Sequence, residues 1–307
     1  MNASPRFGRL LTAMVTPFDG EGNLDEKRCA QLANKLFDEG SDGVLVNGTT
    51  GESPTISRDE RVRVFKTVLE SAGGRGPIIA NVGDNCTQDS VEFAAKVSKL
   101  GVDAVMVVTP YYNKPPQEGL YRHFRAVAEA VDIPVILYNI PGRCVVNIEP
   151  ATILRLARDV ENIVAVKQAN SDLDQVSLLT EQAPRGFDVY SGDDSLTLPM
   201  MERGAAGIIS VLSHVAGPSM KSMIEYFLAG NEQKAHEIES IIMPLADALF
   251  MTSNPIMVKE ALAQTGFSVG GVRLPLIEPT EAQRNELSHI LNETFAQLQA
   301  LKNECAS

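Results

Sequence analysis

The chain's organisation is clearest in a short stretch, GSDGVLV at residues 40–46, where a glycine is soon followed by an apolar run. A similar stretch, GVDAVMV, occupies residues 101–107, and a looser copy, GAAGIIS, occupies residues 204–210. A leading glycine of this kind commonly closes a helix, and a short apolar run with β-branched residues is typical of a buried strand. Helix, glycine and strand therefore recur along the chain as one unit.

Eight apolar runs of strand length alternate with amphipathic stretches of helix length. This alternation predicts parallel strands joined by crossover helices. The predicted strands are Leu11–Thr16, Gly43–Asn47, Pro77–Val82, Ala104–Val108, Pro134–Asn139, Ile163–Lys167, Asp188–Ser191 and Gly207–Val211. The helical stretches include Asp25–Glu39, Ser57–Ser71, Asp89–Leu100 and Gln117–Val131. Eight such units favour an α/β fold of the (β/α)8 TIM-barrel type, whereas TPFDG at residues 16–20 lacks the G-x-G-x-x-G motif of a dinucleotide-binding sheet.

The chain after the eighth predicted strand has a helical pattern throughout. The predicted helices are Met220–Ala229, Asn231–Phe250, Pro255–Thr265 and Glu281–Lys302. Pro255 suits the first turn of a helix, with Ser253 or Asn254 as the capping residue. We therefore expect a TIM-barrel catalytic core over residues 1–215 and an additional C-terminal helical extension over residues 216–307, packed on the barrel.

Composition and charge restrict the classes of function. The 307 residues are 44% hydrophobic, and a net charge of −12 argues against nucleic acid or an anionic membrane as partner. We find neither a signal peptide nor an apolar run that could span a membrane. Four scattered cysteines predict free thiols in a reducing cytoplasm, and four dispersed histidines argue against a histidine metal site. The cysteines are Cys29, Cys86, Cys144 and Cys305.

Lys167 is the most informative single residue, because it ends the apolar run NIVAVK at residues 162–167. One interpretation is a strand that has emerged into solvent. The other is a desolvated amine with a lowered pKa, which could attack a carbonyl group and form a Schiff base. The second gains weight from the polar residues predicted at neighbouring strand ends, where the active site of a TIM barrel lies.

Polar residues follow four other predicted strands: NGTTGES at 47–53, TPYYN at 109–113, YN at 138–139 with PGR at 141–143, and SGDD at 191–194. The turn at 48–51 could bind a carboxylate through backbone N–H groups and hydroxyls, or could be a hydroxyl-capped turn. Tyr138 could act chemically or lie at the barrel rim with its hydroxyl in water. Arg143 could bind a carboxylate in bidentate fashion or belong to a solvated loop. Asp193 and Asp194 favour a simple helix start.

Several of these motifs together resemble the pyruvate-dependent class I aldolase family. The motifs are GTTGE at 48–52, YNIPGR at 138–143 and VK at 166–167, in the family's order. The resemblance extends from TAMVTPF at 12–18 through PYYNKP at 110–115 to NP at 254–255, nearly the whole chain. Thr49, Tyr111, Tyr112 and Arg143 resemble the synthase branch, which condenses pyruvate with aspartate 4-semialdehyde in lysine and diaminopimelate biosynthesis.

The resemblance implies a role for each matched residue. Lys167 would form the Schiff base with pyruvate, and Tyr138 would transfer protons through Thr50 to Tyr112 of a neighbouring subunit. The remaining roles concern substrate binding: Thr49 and Thr50 would hold the pyruvate carboxylate, Arg143 the carboxylate of aspartate semialdehyde, and the backbone of Ile209 would line the pocket. The chemistry needs no metal or organic cofactor. The family also implies a homotetramer built as a dimer of dimers.

The residues directly after Lys167 depart from the family pattern. After the lysine the family usually has glutamate, alanine and a small or hydroxyl residue, whereas this chain has Gln168-Ala169-Asn170. Gln168 should point away from the active site if Lys167 points toward it.

Arg58 and Arg61 fall where lysine-sensitive relatives often carry histidines. Permanent cations would repel lysine, so we expect weak or absent feedback inhibition; otherwise both arginines belong to a solvated helix face.

Three alternatives to the synthase reaction remain open from the sequence. The same chemistry could use another aldehyde, as in cleavage of a sialic acid or a keto-deoxy sugar acid. The chain could be a catalytically silent barrel that binds a keto acid as a sensor or scaffold. A metal-dependent aldolase is the third, and the scattered histidines count against it.

Overall fold

The computed structural model describes residues 4–306, with the side chains of 304–306 excepted. It contains eight strands: β1 (Leu10–Ala13), β2 (Gly43–Val46), β3 (Ile78–Asn81), β4 (Ala104–Val108), β5 (Val135–Asn139), β6 (Ile163–Gln168), β7 (Asp188–Ser191) and β8 (Gly207–Ser210). They close into a barrel in chain order. The predicted (β/α)8 fold is therefore confirmed. The largest difference is at β1, which ends at Ala13 and not at Thr16.

Three glycines in the repeated stretches have the backbone conformation that the repeat requires. Gly40, Gly101 and Gly204 have φ angles of 100°, 94° and 89°, in the left-handed region. Residues with a β-carbon adopt that region at a cost, whereas glycine adopts it freely. Each of these glycines can therefore end a helix and turn the chain toward the next strand.

Twelve α-helices are present in the described residues. Eight precede β8 or lie between strands: α1 (Glu26–Asp38), α2 (Arg58–Ala72), α3 (Thr87–Ser98), α4 (Gln117–Glu129), α5 (Pro141–Cys144), α6 (Pro150–Asp159), α7 (Leu173–Gln182) and α8 (Thr197–Met201). Four follow β8: α9 (Ser213–Leu228), α10 (Glu232–Leu249), α11 (Ile256–Gln264) and α12 (Glu281–Ala306). Helix α9 begins seven residues before the predicted Met220. No helix within residues 4–306 is both long and apolar enough to cross a membrane.

The described chain divides into two compact units. The first comprises the described part of Met1–Leu11 with Asp42–Val46 and Ala72–Ser210, and so holds nearly all of the strands and helices α3 to α8. The second comprises Thr12–Ser41, Asn47–Ser71 and the described part of Val211–Ser307, and holds α1, most of α2 and α9 to α12. The expected division into residues 1–215 and 216–307 stays a prediction.

The start of α2 shows local sequence determining structure. The N–H and the hydroxyl of Ser57 both donate to Oε2 of Glu60, at 2.9 and 3.0 Å, and the N–H of Glu60 donates back to the Ser57 hydroxyl at 3.3 Å. This reciprocal arrangement is a capping box, which satisfies N–H groups that have no partner within the helix. Serine followed three residues later by glutamate is sufficient to predict it.

The cysteines fit the expectation of free thiols as far as they are described. Cys29 and Cys144 are buried, Cys86 is exposed, and all three are free. Burial raises the pKa of the Cys29 thiol to about 12 and that of Cys144 to about 11. Both buried thiols therefore stay protonated near neutral pH and pack as small apolar groups. The side chain of Cys305 lies outside the described residues.

Candidate active site

Lys167 lies one residue before the end of β6, and its side chain is buried. The residue is 5% exposed, and its register partners are Tyr138 on β5 and Tyr190 on β7. Register partners in parallel strands project to the same side of a sheet. The amine Nζ lies 4.6 Å from the centroid of the Tyr138 ring. The lysine has therefore not emerged into solvent, and its amine is desolvated.

The surroundings of Lys167 change its ionisation. Burial has the largest influence and lowers the pKa of the amine, Asp194 raises it, and the nearby Arg143 lowers it; the resulting pKa is about 8. With a pKa near 8, about one amine in ten is neutral at pH 7, compared with roughly one in three thousand for an ordinary lysine. Only the neutral amine can attack a carbonyl carbon, so these surroundings increase the population of nucleophile by roughly two orders of magnitude.

Asp194 belongs to the surroundings of the amine, a role that the sequence did not reveal. Asp193 does cap a helical turn, because its Oδ1 accepts from the N–H of Ser195 at 3.0 Å. Asp194 instead is 2% exposed, and its Oδ1 accepts from the hydroxyl of Ser210 at 2.6 Å. A buried carboxylate that acts electrostatically on a buried amine is typical of a functional site. The helix-start prediction is therefore right for both residues, and Asp194 in addition acts on the Lys167 amine.

Tyr138 is held near the end of β5 by Thr109, the residue directly after β4. Its side chain is 4% exposed, so the rim position with the hydroxyl in water is wrong. Its carbonyl oxygen accepts from both the N–H and the hydroxyl of Thr109, each at 2.9 Å. These bonds hold the end of β5 and with it the direction in which the phenol projects.

Arg143 lies on a short helix just after β5 and not in a loop, which was one of the two interpretations of the sequence. Helix α5 spans Pro141–Cys144, and proline at its start suits the first helical turn. The Arg143 side chain is exposed, yet its charge lowers the pKa of Lys167. The guanidinium therefore lies close enough to the amine to repel its protonated form, and it remains accessible to an anion.

The GTTGE motif forms a tight turn in the second unit. The N–H of Gly51 donates to the carbonyl of Gly48 at 3.1 Å, and the N–H of Glu52 donates to that of Thr49 at 3.0 Å. A β-carbon on Gly51 would lie 3.0 Å from Cα of Asn47, so a side chain here would crowd the backbone of the turn. Thr49 is half-buried and Thr50 is 3% exposed. The two threonines are thus presented by a turn with a fixed backbone.

Asn254 is a further polar residue that the sequence assigned incorrectly. Ser253 or Asn254 was expected to cap a helix with Pro255 in its first turn, but Pro255 is itself the N-cap residue, with no side-chain cap bond. The Asn254 amide is instead directed to the GTTGE turn, where its Nδ2 donates to Oγ1 of Thr50 at 2.9 Å. An asparagine before a proline also suits a helix cap, and the sequence has no signal that separates the two roles.

Tyr112 and Ile209 differ sharply in exposure. The Tyr112 side chain is 89% exposed, with a φ of 76°, a conformation that few non-glycine residues adopt. Asn113 holds the loop, since its Nδ2 donates to the carbonyl of Asn85 at 2.8 Å. Ile209 is 1% exposed and belongs to β8. The structure thus presents Tyr112 outward and buries Ile209 in the strand.

Gln168 and Asn170 lie on the other side of the strand from the lysine. The register partners of Gln168 are Asn139 and Ser191, and alternation along β6 directs Gln168 away from the side that Lys167 faces. Asn170 belongs to an amide cluster, in which its Nδ2 donates to Oδ1 of Asn147 at 3.3 Å. Asn139 donates to the same oxygen at 2.7 Å. This face of β6 therefore adds amide dipoles, but no charge, behind the lysine.

Arg58 and Arg61 have different surroundings in α2. Arg58 is exposed, as a solvated helix face requires, whereas Arg61 is 6% exposed. The prediction of a solvated face is therefore right for Arg58 and wrong for Arg61. Among the described side chains, no group of three or more histidines, cysteines, aspartates or glutamates could hold a metal ion.

A closed parallel barrel with a desolvated lysine at the end of a strand defines the class: a Schiff-base-forming lyase of the class I aldolase type. Within that class, the chain belongs to the Dihydrodipicolinate synthetase family, which it matches over residues 6–294. It is 53% identical over 289 residues to the 4-hydroxy-tetrahydrodipicolinate synthase of Symbiobacterium thermophilum, covering 94% of this chain and 98% of the relative.

Solved structures agree with this assignment. A dihydrodipicolinate synthase from Bacillus anthracis superposes with a TM-score of 0.92 at 46% identity, over 94% of this chain and 98% of that chain. The enzyme from Cyanidioschyzon merolae, in a structure with lysine bound, has a TM-score of 0.93 at 42% identity, over 95% and 99% of the two chains. Sequence and fold similarity thus extend over almost the whole of each chain.

Proposed function

We propose that this chain condenses pyruvate with aspartate 4-semialdehyde through a Schiff base on Lys167, as a 4-hydroxy-tetrahydrodipicolinate synthase. The observation that carries the proposal is the buried amine of Lys167, whose pKa is lowered to about 8. Similarity to synthases over nearly the full chain supports this reaction over cleavage of sialic acids or keto-deoxy sugar acids.

The proposed chemistry begins with the neutral amine of Lys167. It attacks the keto carbon of pyruvate, and loss of water leaves a cationic iminium, which withdraws electrons from the adjacent methyl group. Loss of a methyl proton gives an enamine, whose terminal carbon attacks the aldehyde carbon of the second substrate. The amino group of that substrate then attacks the imine carbon, which closes a six-membered ring and releases Lys167 as the free amine.

The remaining residues take roles that follow from their chemistry and the family resemblance. Tyr138 transfers protons, and because a phenol ordinarily titrates near pH 10 it needs a relay, provided by Thr50 and Tyr112. Thr49 and Thr50 bind the pyruvate carboxylate. Arg143, an exposed guanidinium, binds the carboxylate of aspartate semialdehyde, and the backbone of Ile209 lines the pocket.

We further propose that a second copy of the chain covers Tyr112, within a homotetramer built as a dimer of dimers. An aromatic side chain that is 89% exposed on a loop with a left-handed residue is unusual for an isolated chain. Free thiols at Cys29, Cys86 and Cys144 support a cytoplasmic location.

The decisive experiment traps the covalent intermediate. The protein is incubated with pyruvate and borohydride, digested, and the modified peptide is mapped by mass spectrometry. We expect the reduced adduct on Lys167 and its absence in Lys167→Met. Lys259, a second buried lysine, is an internal control that should stay unmodified, because it is paired with Glu52. Normal turnover without a label on Lys167 would exclude the covalent scheme.

The second substrate is tested by exchanging aldehydes against pyruvate. Rapid consumption of aspartate 4-semialdehyde is expected, with little reaction of N-acetylmannosamine. The reverse preference would assign the chain to the sugar-acid branch of the family. No turnover with any aldehyde, together with reversible pyruvate binding, would indicate a sensor or scaffold.

A further inference from the structure

Glu52, the last residue of the GTTGE motif, is a buried carboxylate in the second unit. Its side chain is fully buried, and its backbone has a φ of 55°, in the left-handed region. One carboxylate oxygen, Oε1, lies 2.5 Å from Nζ of Lys259 on α11. The other, Oε2, accepts from the backbone N–H of Arg273 at 3.0 Å. A buried charge is tolerated only when it is paired and hydrogen-bonded, and Glu52 meets both conditions.

Lys259, which pairs with Glu52, and Arg273, whose backbone N–H binds it, are themselves held in place. Nζ of Lys259 donates to the carbonyl of Gly271 at 2.7 Å and lies 4.2 Å from the centroid of the Phe18 ring. The guanidinium of Arg273 lies 4.3 Å from the same centroid and binds Glu60 at 2.6 Å. Glu52, Lys259 and Arg273 form what we name the turn cluster, which joins the end of the GTTGE turn to residues 259–273.

A second contact reaches the same turn five residues before Lys259. Nδ2 of Asn254 donates to Oγ1 of Thr50, and both side chains are buried. A hydroxyl has one proton to donate. Because the amide N–H occupies an acceptor position of this oxygen, the Thr50 proton is directed to a different acceptor.

We propose that residues 254–273 position the pyruvate-binding turn: Asn254 sets the direction of the Thr50 hydroxyl, and the turn cluster fixes the backbone that carries both threonines. The proposal rests on the proposed function, in which Thr49 and Thr50 bind the pyruvate carboxylate. In this proposal, the helical region after the barrel strands keeps the Thr50 hydroxyl free to donate its proton in a hydrogen bond to a carboxylate or a phenol.

The first test reverses the hydrogen bond to Thr50. In Asn254→Asp the side chain has almost the same size but can only accept, so the Thr50 proton is drawn toward it. We expect the KM for pyruvate to rise about tenfold or more, while the KM for the aldehyde and the pH at which Lys167 titrates change little. If Asn254→Asp does not fold, Asn254→Ala, which removes the donor to Thr50, is the second variant, and the KM for pyruvate should again rise.

The second test separates charge from packing in the turn cluster. Lys259→Met leaves Glu52 charged and buried without its partner, and we expect both a lower melting temperature and a raised KM for pyruvate. Adding Glu52→Gln removes that charge and should bring the KM back to within about threefold of the wild-type value. Lys66→Met, at an exposed lysine of α2, is the matched control.

The outcomes are distinguishable from failure of the proposed function. If wild-type protein forms no borohydride-trapped adduct with pyruvate, the proposed function fails before any variant is made. If the wild type is labelled and the Asn254 and Lys259 variants lose thermal stability with an unchanged KM for pyruvate, residues 254–273 are merely structural and the inference is overturned. A raised KM in Asn254→Asp at wild-type stability supports it.

Discussion

Gly192 provides the space into which the side chain of Lys167 extends. A β-carbon on Gly192 would lie 2.9 Å from Cε of Lys167 and 2.9 Å from Cβ of Ala169, closer than van der Waals contact allows. The glycine cannot retreat freely, because its N–H donates to the carbonyl of Gln168 at 2.7 Å. The position of the amine therefore depends on the absence of a side chain on the neighbouring strand end.

Gly192→Ala should reduce activity without unfolding the protein. The added methyl group displaces the flexible end of Lys167, and a shift of about 1 Å in a nucleophile can cost roughly a hundredfold in rate. We expect kcat to fall about tenfold to a hundredfold, measured by steady-state kinetics, with a melting temperature within a few degrees of wild type. Gly20→Ala, where an added β-carbon meets nothing within 4 Å, is the control. Wild-type kcat in Gly192→Ala would contradict the steric argument.

The pH dependence of the reaction should report the ionisation of Lys167. The neutral amine is the nucleophile, so kcat/KM for pyruvate should rise about tenfold per pH unit at low pH and level off near pH 8. Because Asp194 raises the pKa of Lys167, Asp194→Asn should shift the rising part of the pH profile of kcat/KM to lower pH. The same variant should lower kcat about tenfold, because the cationic iminium loses a buried counter-charge.

Ser210→Ala is the control for this effect. It removes the 2.6 Å hydrogen bond to Asp194 but retains the carboxylate. The rising part of the pH profile of kcat/KM should therefore shift less than in Asp194→Asn. An unchanged pH profile in Asp194→Asn would show that this carboxylate has no part in setting the ionisation of the amine.

Two buried histidines should make the protein sensitive to acid. Burial lowers the pKa of His123 and of His214 from 6.5 to about 4 in each case. The folded state resists protonation at these sites while the unfolded state accepts it near pH 6.5. The contribution of these two histidines to the free energy of unfolding is therefore fully present above pH 6.5 and is lost as the pH falls toward 4. Each shift corresponds to about 3 kcal/mol of unfolding free energy.

Urea denaturation at several pH values measures this loss. The free energy of unfolding should decline between pH 6.5 and 4, and the decline should be shallower in His123→Leu and in His214→Asn. His289→Gln, at an exposed histidine, retains both buried groups and with them the wild-type slope. A slope that is equally steep after removal of either buried histidine would reject the assignment.

Inhibition by free lysine should be weak. Arg58 and Arg61 are cations at the positions where lysine-sensitive relatives often carry histidines, and they repel a cationic effector. The expected result is little loss of initial rate as lysine is added, with greater sensitivity in the double variant Arg58→His, Arg61→His. Strong inhibition of the wild type at low lysine concentration would show that this repulsion does not govern binding.

Activity should depend on association between copies of the chain. If Tyr112 serves the active site of a neighbouring copy, specific activity should fall on dilution in parallel with dissociation seen by analytical ultracentrifugation. Tyr112→Phe, which keeps the ring but removes the hydroxyl, should lower kcat while leaving the oligomer intact. A fully active monomer would contradict the shared site.

The sequence by itself determined the strands, the capped start of α2 and the chemistry-bearing residues at the strand ends. These features depend on neighbours along the chain: β6 follows from an unbroken apolar run, and the Ser57–Glu60 capping box from a spacing of three residues. The buried surroundings of Lys167 could be proposed because a barrel collects strand ends at one edge. Signals of this kind depend on residues that are close in sequence, so they can be recognised without knowing the tertiary structure.

Only the tertiary structure decided which polar residues surround the reactive groups. Asp194 starts a short helix as its local sequence suggests, and Asn254 does not cap one, but the contacts of their side chains with Ser210 and Thr50, 16 and 204 positions away, follow only from the fold. Gly192 likewise looks like an ordinary turn glycine in the sequence, and only the fold shows that it lies beside Lys167. Distances between residues far apart in sequence are fixed by packing and barrel closure, and no local pattern encodes them.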